Sequence, residues 1–289
     1  MQVEQIKRIM VIGAGNMGHQ IALACALAGY ETTCTDVSEA QLAKAAAFMK
    51  SYLSGRVAKE KITAAEAGAV AEKLHFTGCF EEAAGKADFA IEAATENLDL
   101  KKKIFHQLGE LCPAHAILTT NSSFLVSSLV ACETGRPAQV CNMHFFNPAL
   151  VMKCVEVVRG PHTAPETAAV TMELARKLGK EPVLLNKEIY GFLVNRILAR
   201  LIDEALFLLD TGVASVEDID SAVVNALGHP MGPFRLMDLT GVDLSYHIAM
   251  ELYRDTGNPA DKPSPTVVEK YVKGEWGRKA GRGFYCYDN

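Results

Sequence analysis

Short apolar runs and longer amphipathic stretches alternate along the first two-thirds of the chain. The first run, Ile9-Met10-Val11-Ile12, stops at Gly13-Ala14-Gly15-Asn16-Met17-Gly18, and a helix-prone segment from Gln20 to Ala28 follows. Glu31 to Thr35 reads as a second strand, ending at Asp36. Ser38 is a fitting N-cap for a helix from Gln41 to Leu53, and Thr63 with Glu66 makes a capping box for a helix running to Leu74. Further strands are expected at 75–77, 87–92, 116–120, 140–145, 153–158 and 183–185, with helices at 100–111 and 165–178. This alternation predicts a parallel, doubly wound sheet with right-handed crossovers.

From Tyr190 the texture changes. Gly191 to Asp210 reads as one long amphipathic helix, with Phe192, Ile197, Leu201, Ala205 and Leu208 recurring at helical spacing. Helices are also expected at 216–227, 242–253 and 265–272, with almost no strand signal. The boundary is placed near Asn186–Tyr190. Residues 1–188 then form an α/β, Rossmann-like domain and residues 189–289 an all-α domain whose apolar content suits burial against a partner subunit as well as against the first domain.

Gly13, Gly15 and Gly18 make a G-x-G-x-x-G in the context that gives it meaning, between a strand and a helix and ahead of an acid at the next strand's end. Gly13 permits the tight turn, Gly15 lets a pyrophosphate approach, and Gly18 lets helix and strand pack closely. The loop, Asn16 and Met17 included, leads into a helix N-terminus that attracts phosphate. Asp36 suits a ribose diol and repels a 2′-phosphate, so NAD is expected over NADP.

A net charge of −5 gives no case for nucleic acid or an anionic membrane. No apolar stretch is long enough to span a bilayer, and the N-terminus runs straight into the first strand without a secretory pattern. The eight cysteines form no C-x-x-C and have no histidine cluster beside them. They are expected to be reduced, mostly buried thiols in a cytoplasmic protein, with no metal site.

Polar clusters fall at the carboxyl ends of the expected strands: the glycine loop, Asp36, Glu96, Ser122-Ser123, and His144 with Asn147. A nicotinamide site needs a group to handle the substrate's proton, because the cofactor carries only hydride. His144 is the candidate, as imidazole titrates near a pKa of about 6.5; the alternative is a hydrogen-bonded structural histidine. If 146–149 makes a bend, Glu156 faces His144 across it and fixes its tautomer; otherwise Glu156 is an exposed strand carboxylate. Ser123 either bonds the substrate oxygen or caps the following helix. Asn195 needs partners in a ligand or in local backbone. Arg56, Lys59 and Lys61 are either a solvated helical surface or a clamp for the phosphates of a carrier group.

Several of these residues carry a family resemblance. Gly13-x-Gly15-x-Met17-Gly18, Glu96-Asn97, Asn121-Ser122-Ser123, His144-Phe145-Phe146-Asn147-Pro148 with Val151-Met152-Lys153, Gly191-Phe192 with Val194-Asn195-Arg196, Pro230-Met231-Gly232-Pro233 and the closing Gly277 to Tyr285 segment follow in order. The chain thereby resembles the NAD-dependent L-3-hydroxyacyl-CoA dehydrogenases over essentially its whole length, its single-function size being like that of the bacterial 3-hydroxybutyryl-CoA members. The resemblance implies oxidation of (S)-3-hydroxyacyl-CoA by NAD to 3-ketoacyl-CoA and NADH, run toward reduction in a butyrate-forming cell. It implies that His144 is the base, that Glu156 holds it, and that Ser123 and Asn195 contact the reacting substrate. Glu96, Lys101, Ser123, Asn147 and Lys279 are implied at or near the cofactor. It also implies a homodimer through the helical domain and closure of the domains over acyl-CoA. Ser54, Lys59 and Lys61 are the candidates for holding CoA.

Two motifs depart from the family pattern. The family usually has Asn-Thr-Ser-Ser, where this chain has Asn121-Ser122-Ser123-Phe124, and Pro-Gly-Phe, where it has Tyr190-Gly191-Phe192. The stretch from Val183 to Tyr190 also carries one extra residue, which sets Asn195 51 rather than 50 positions after His144 and leaves room for a slightly displaced helix start, with Tyr190 at the expected hinge. Competing readings are a dehydrogenase of a non-CoA hydroxy acid or sugar acid on the same scaffold, and a non-catalytic NAD-binding protein.

Overall fold

The opening apolar run forms β1 (Arg8–Ile12), with four buried residues in succession, the pattern of a parallel strand covered on both faces. The structure, a computed structural model, describes residues 1–287, apart from the side chain of residue 255. It divides into two compact units, Met1–Leu193 and Val194–Asn289.

In the first unit β1 is followed by α1 (Gly18–Leu27), β2 (Glu31–Thr35), α2 (Glu39–Ala58), α3 (Ala64–Lys73) and β3 (Leu74–Thr77). Next come α4 (Phe80–Ala84), β4 (Phe89–Glu92), α5 (Leu98–Leu111), β5 (Ile117–Thr120), α6 (Ser128–Ala131) and β6 (Val140–Phe145). β7 (Cys154–Val158), α7 (Pro165–Lys177) and β8 (Glu181–Leu185) complete it. The strands form one eight-stranded sheet in the order β3-β2-β1-β4-β5-β6-β7-β8. Strand order reverses between β1 and β4, so the switch point lies beyond their carboxyl ends. Alternate residues feed two cores, one holding Ile9, Val11 and Ile91, the other Met10, Ala90 and Leu118.

The sheet is not parallel throughout. β6 and β7 run antiparallel, while β7 and β8 are parallel to each other. A parallel crossover needs about a dozen residues or more; the connection 146–153 is shorter, and the chain turns back. β8 lies at the edge, where Pro182 is tolerated.

Local signals act as their chemistry requires. Ser38 accepts the Gln41 N–H (3.3 Å), and Thr63 and Glu66 cap each other reciprocally. α2 continues beyond Leu53 to Ala58. Of the free thiols, Cys25, Cys34, Cys112 and Cys141 are buried, and Cys79, Cys132 and Cys286 are exposed, so the expectation of mostly buried cysteines holds for only half. Burial pushes the Cys25, Cys34 and Cys141 thiols up to about 12.

The second unit contains α8 (Val194–Asp210), α9 (Val216–Leu227), α10 (Pro233–Thr240), α11 (Val242–Thr256) and α12 (Pro265–Lys273). α8 begins later than the apolar periodicity suggests. Gly191 (φ +73°) and Phe192 (φ +50°) are left-handed, a conformation no right-handed helix can include. Asn195 therefore lies on the first turn of α8, not within its length. Phe234, Met237, Val242 and Val267 meet in the core of this unit, around two buried carboxylates. Asp220 accepts the N–H groups of Phe234 (2.9 Å) and Arg235 (3.1 Å). Asp238 accepts those of Phe284 (2.8 Å) and Tyr285 (2.9 Å). A Cβ at Gly232 would fall 2.3 Å from the Asp220 carboxyl carbon, and one at Gly283 would fall 2.0 Å from an Asp238 oxygen. The glycine-bearing segments 230–233 and 277–285 thus wrap two buried acids. Burial, reinforced by Asp220, holds the Tyr285 phenol well above its usual range.

A buried ion pair ties α5 to the sheet. Lys101 is 1% exposed, and its Nζ donates to both oxygens of Glu92 (2.8 and 2.9 Å) at the end of β4. Glu92 also accepts from Thr120 Oγ1 (2.6 Å) and the Ala94 N–H (2.7 Å), so each oxygen is satisfied. Removing the ammonium leaves a carboxylate buried without its counter-charge. We expect Lys101→Met to lower stability by about 3–5 kcal/mol in urea unfolding. The double variant Glu92→Gln/Lys101→Met, carrying neither charge, should recover at least half of that loss.

Candidate active site

The glycines after β1 divide their work by what surrounds them. Gly13 has φ +99°, and a Cβ there would lie 2.7 Å from the Ala93 carbonyl beyond β4. A Cβ at Gly18 would fall 1.8 Å from the Gly13 carbonyl oxygen. Gly15 faces open space, with nothing within 4 Å. Two glycines close the turn against protein, and the third keeps a face clear for a ligand. Met17 offers α1 no side-chain cap, leaving the helix N-terminus available to phosphate.

Side chains peg this loop from both sides. His19 Nδ1 donates to the Gly15 carbonyl (2.6 Å), and Gln20 Nε2 donates to that of Asn16 (2.9 Å). The Asn16 amide in turn donates to Asn147 Oδ1 (3.2 Å), bringing two of the expected cofactor residues together. Half-buried Asp36 accepts the N–H groups of Ala14 (2.7 Å) and Ser38 (2.8 Å), so the carboxylate at the end of β2 is lashed to the glycine loop. A cradle with a clear glycine face, an uncapped helix start and a carboxylate beside it fits a dinucleotide.

His144 lies on β6, 3% exposed, directly opposite Glu156 of β7 in the antiparallel register. Glu156 is fully buried, and its Oε2 accepts from His144 Nδ1 (2.9 Å). The carboxylate requires a proton on Nδ1, so in the neutral ring Nε2 carries the lone pair. That nitrogen is 3.1 Å from Ser123 Oγ. Phe146 and Phe192 pack against the ring, with centroids 4.6 and 5.4 Å away. Glu156 Oε1 accepts the Leu193 N–H (3.0 Å), which fixes the rotation of the carboxylate. The line Ser123–His144–Glu156 can pass one proton at Nε2 while a buried anion stabilises the imidazolium.

Ser122, not Ser123, takes the local capping work. Its Oγ accepts the Leu125 N–H (2.8 Å) and donates to Glu96 Oε1. Glu96 Oε2 lies 3.3 Å from Lys101 Nζ, so the lysine expected near the cofactor is sealed in the protein between two glutamates. Lys279 and Asn195 belong to the second unit. There Lys279 pairs with Asp243 (2.6 Å), on the exposed side of a short turn at 278–280. Ser54, Lys59 and Lys61 are exposed around the end of α2, where Ser54 borders a groove of about 520 Å³ between α2 and α3.

Three groups escape a reading of the sequence. His19 is visible only as a helix residue. Asn142, inside an apolar strand, accepts the Ser127 N–H (2.8 Å) and donates to the Leu125 carbonyl (3.0 Å), holding the turn after Ser123. Glu188, an acid between the last strand and an aromatic segment, accepts from Ser127 Oγ and the Ser128 N–H. A polar residue in an apolar run was the signal for Asn142; Glu188, in the polar stretch Asn186-Lys187-Glu188, gave none. Among the described residues no group of three or more His, Cys, Asp or Glu is placed to hold a metal ion.

Comparison with known proteins converges on one family. Residues 8–189 match the family model for the NAD binding domain of 3-hydroxyacyl-CoA dehydrogenase, and residues 191–287 match that for its C-terminal domain. The chain is 41% identical over 285 residues to a probable 3-hydroxybutyryl-CoA dehydrogenase of Bacillus subtilis, covering 98% of each protein. It is 36% identical over 289 residues to the human mitochondrial hydroxyacyl-coenzyme A dehydrogenase, covering 98% of this chain and 91% of that one. The crystal structure of (S)-3-hydroxybutyryl-CoA dehydrogenase from Ralstonia eutropha superposes with a TM-score of 0.92 at 36% identity, covering 99% of this chain and 100% of that one. With its dinucleotide cradle and with the two family models together matching residues 8–189 and 191–287, the chain belongs to the NAD-dependent 3-hydroxyacyl-CoA dehydrogenases and is an NAD-using oxidoreductase.

Proposed function

We propose that the chain interconverts (S)-3-hydroxyacyl-CoA and 3-ketoacyl-CoA thioesters, with 3-hydroxybutyryl-CoA and acetoacetyl-CoA as the preferred pair. The observation that carries this reading is the line from Ser123 Oγ through the His144 ring to buried Glu156. In oxidation Nε2 takes the proton of the 3-hydroxyl group; in reduction the imidazolium returns it to the ketone oxygen. Glu156 Oε2, on Nδ1–H, stabilises the imidazolium and keeps Nε2 turned toward Ser123. Ser123 holds the reacting oxygen, and Asn195 is assigned to the substrate as well. When bound, NAD supplies the hydride acceptor and NADH the donor.

The Gly13–Gly18 loop with Asn16 and Met17, Asp36, Glu96, Ser123, Asn147 and Lys279 are assigned to the cofactor. Lys101 serves it indirectly, through Glu96. Ser54, Lys59 and Lys61 are assigned to the carrier group of the thioester. In this reading residues 1–188 bind the dinucleotide, and residues 189–289 serve substrate binding and dimerisation. Support for a homodimer comes from large apolar side chains left exposed in the helical unit, among them Phe207 at 59%, Leu227 at 63% and Leu244 at 48%. No described helix is long and apolar enough to cross a membrane. Eight free cysteines, three of them exposed, suit a reducing cytoplasm.

Initial rates of NADH oxidation test the reading. Acetoacetyl-CoA should exceed free acetoacetate by at least about 100-fold in kcat/KM, and equal rates would overturn the thioester assignment. His144→Ala should lower kcat by about a thousandfold while NADH affinity, read by fluorescence titration, stays within about twofold of the parent. Discrimination against NADPH should be about 100-fold or more in kcat/KM, since Asp36 faces the loop with a negative charge. Sedimentation should give twice the chain mass, and Phe207→Glu should shift it toward the monomer; a parent protein that sediments as a monomer removes the dimer.

A further inference from the structure

The segment 188–193 touches His144 and Glu156 directly and packs on the turn that carries Ser123. Glu188 accepts from Ser127 Oγ (2.8 Å) and the Ser128 N–H (2.9 Å), just beyond the Ser123 turn. The Tyr190 ring packs on Phe124, the residue next to Ser123, with centroids 5.2 Å apart. Phe192, fully buried in a left-handed conformation, lies against the His144 ring. The Leu193 N–H occupies Glu156 Oε1.

Tyr190 and Phe124, distant in sequence, meet each other in space. The turn carrying Ser123 is held on one side by Ser122 and Glu96, and the Phe124 N–H reaches those groups only at 3.4 Å. The Tyr190 ring adds a further contact to that turn, at Phe124. We propose that Phe124 and Tyr190 form a matched pair of positioning residues, which sets where the Ser123 hydroxyl stands relative to His144 Nε2. The pair acts through Ser123 and His144, so the proposal rests on the acid/base reading above. Glu188 anchors the same segment at its other end.

The test uses the full chain, with acetoacetyl-CoA and NADH. Misplacing a reacting group by about 1 Å can cost up to about 100-fold in rate, so Phe124→Ala and Tyr190→Ala should each lower kcat about tenfold while KM for NADH changes less than about twofold. Both substitutions remove one shared contact, and the double variant should be no slower than the slower single variant. Phe124→Tyr, which keeps the ring, should retain most of the parent rate. Single alanine variants with kcat near the parent value, or losses that multiply in the double variant, overturn the proposal.

Tyr190 is 37% exposed, so its removal opens no core cavity. If the alanine variants nevertheless fail to melt cooperatively, Phe124→Leu and Tyr190→Leu are read in the same way. A second readout needs no turnover: the His144 Nδ1–H proton resonance, assigned by its absence in His144→Ala. That resonance should shift or broaden in Tyr190→Ala, and an unchanged position and width also overturns the pairing. A parent enzyme that turns over the thioester, together with an inactive His144→Ala, isolates failure of the pair from failure of the acid/base reading. An inactive parent overturns that reading and leaves the resonance to decide on the pair.

Discussion

A carboxylate with no solvent exposure must find donors inside the protein, and Glu156 finds them on both oxygens. One is the imidazole of His144, the other a backbone N–H at the end of the sheet-bearing unit. Leaving either oxygen unmet inside the protein would cost far more than a surface bond returns. The orientation of His144 is therefore determined before any ligand arrives. Because the two residues sit opposite each other on adjacent antiparallel strands, the reversal of chain direction after β6 is what makes the pair possible.

The cofactor side of the molecule follows a different logic. There, the main-chain geometry of β1 and α1 does most of the work, and side chains serve to hold it. Gly18 lies so close to the Gly13 carbonyl that helix and strand form one rigid corner. Asp36 ties that corner to the next strand through the Ala14 N–H. The carboxylate assigned to the ribose in the proposed reading is thus also a structural brace, and replacing it would disturb the loop itself.

Much of this was legible in the sequence where the cause is local. The glycine loop, the caps at Ser38 and Thr63, and the strand from Val140 to Phe145 each follow from a pattern within a few residues. The pairing of His144 with Glu156 was open to inference because a bend and an alternating strand follow the histidine. Other features depend on distant partners. The start of α8 is set by Phe192, whose apolar character extends the helical periodicity although its backbone is left-handed. Only tertiary packing reveals that Ser122 bonds Glu96 and thereby leaves Ser123 to the histidine. Lys101 looks like any surface lysine of an amphipathic helix until Glu92 is placed beside it. The short helices α4, α6 and α10 have too few turns to show a period.

The connection 146–153 carries a further implication for how such a sheet can vary. Side chains on a strand alternate between its faces, so a shift of one residue in register would carry Glu156 from the imidazole to the opposite layer. The turns beside the helical crossovers are free of that parity rule, since a helix can absorb an added residue by fraying. Length changes among natural or designed versions of this scaffold should thus gather in the crossovers and be purged from this one turn, whatever substrate each version handles.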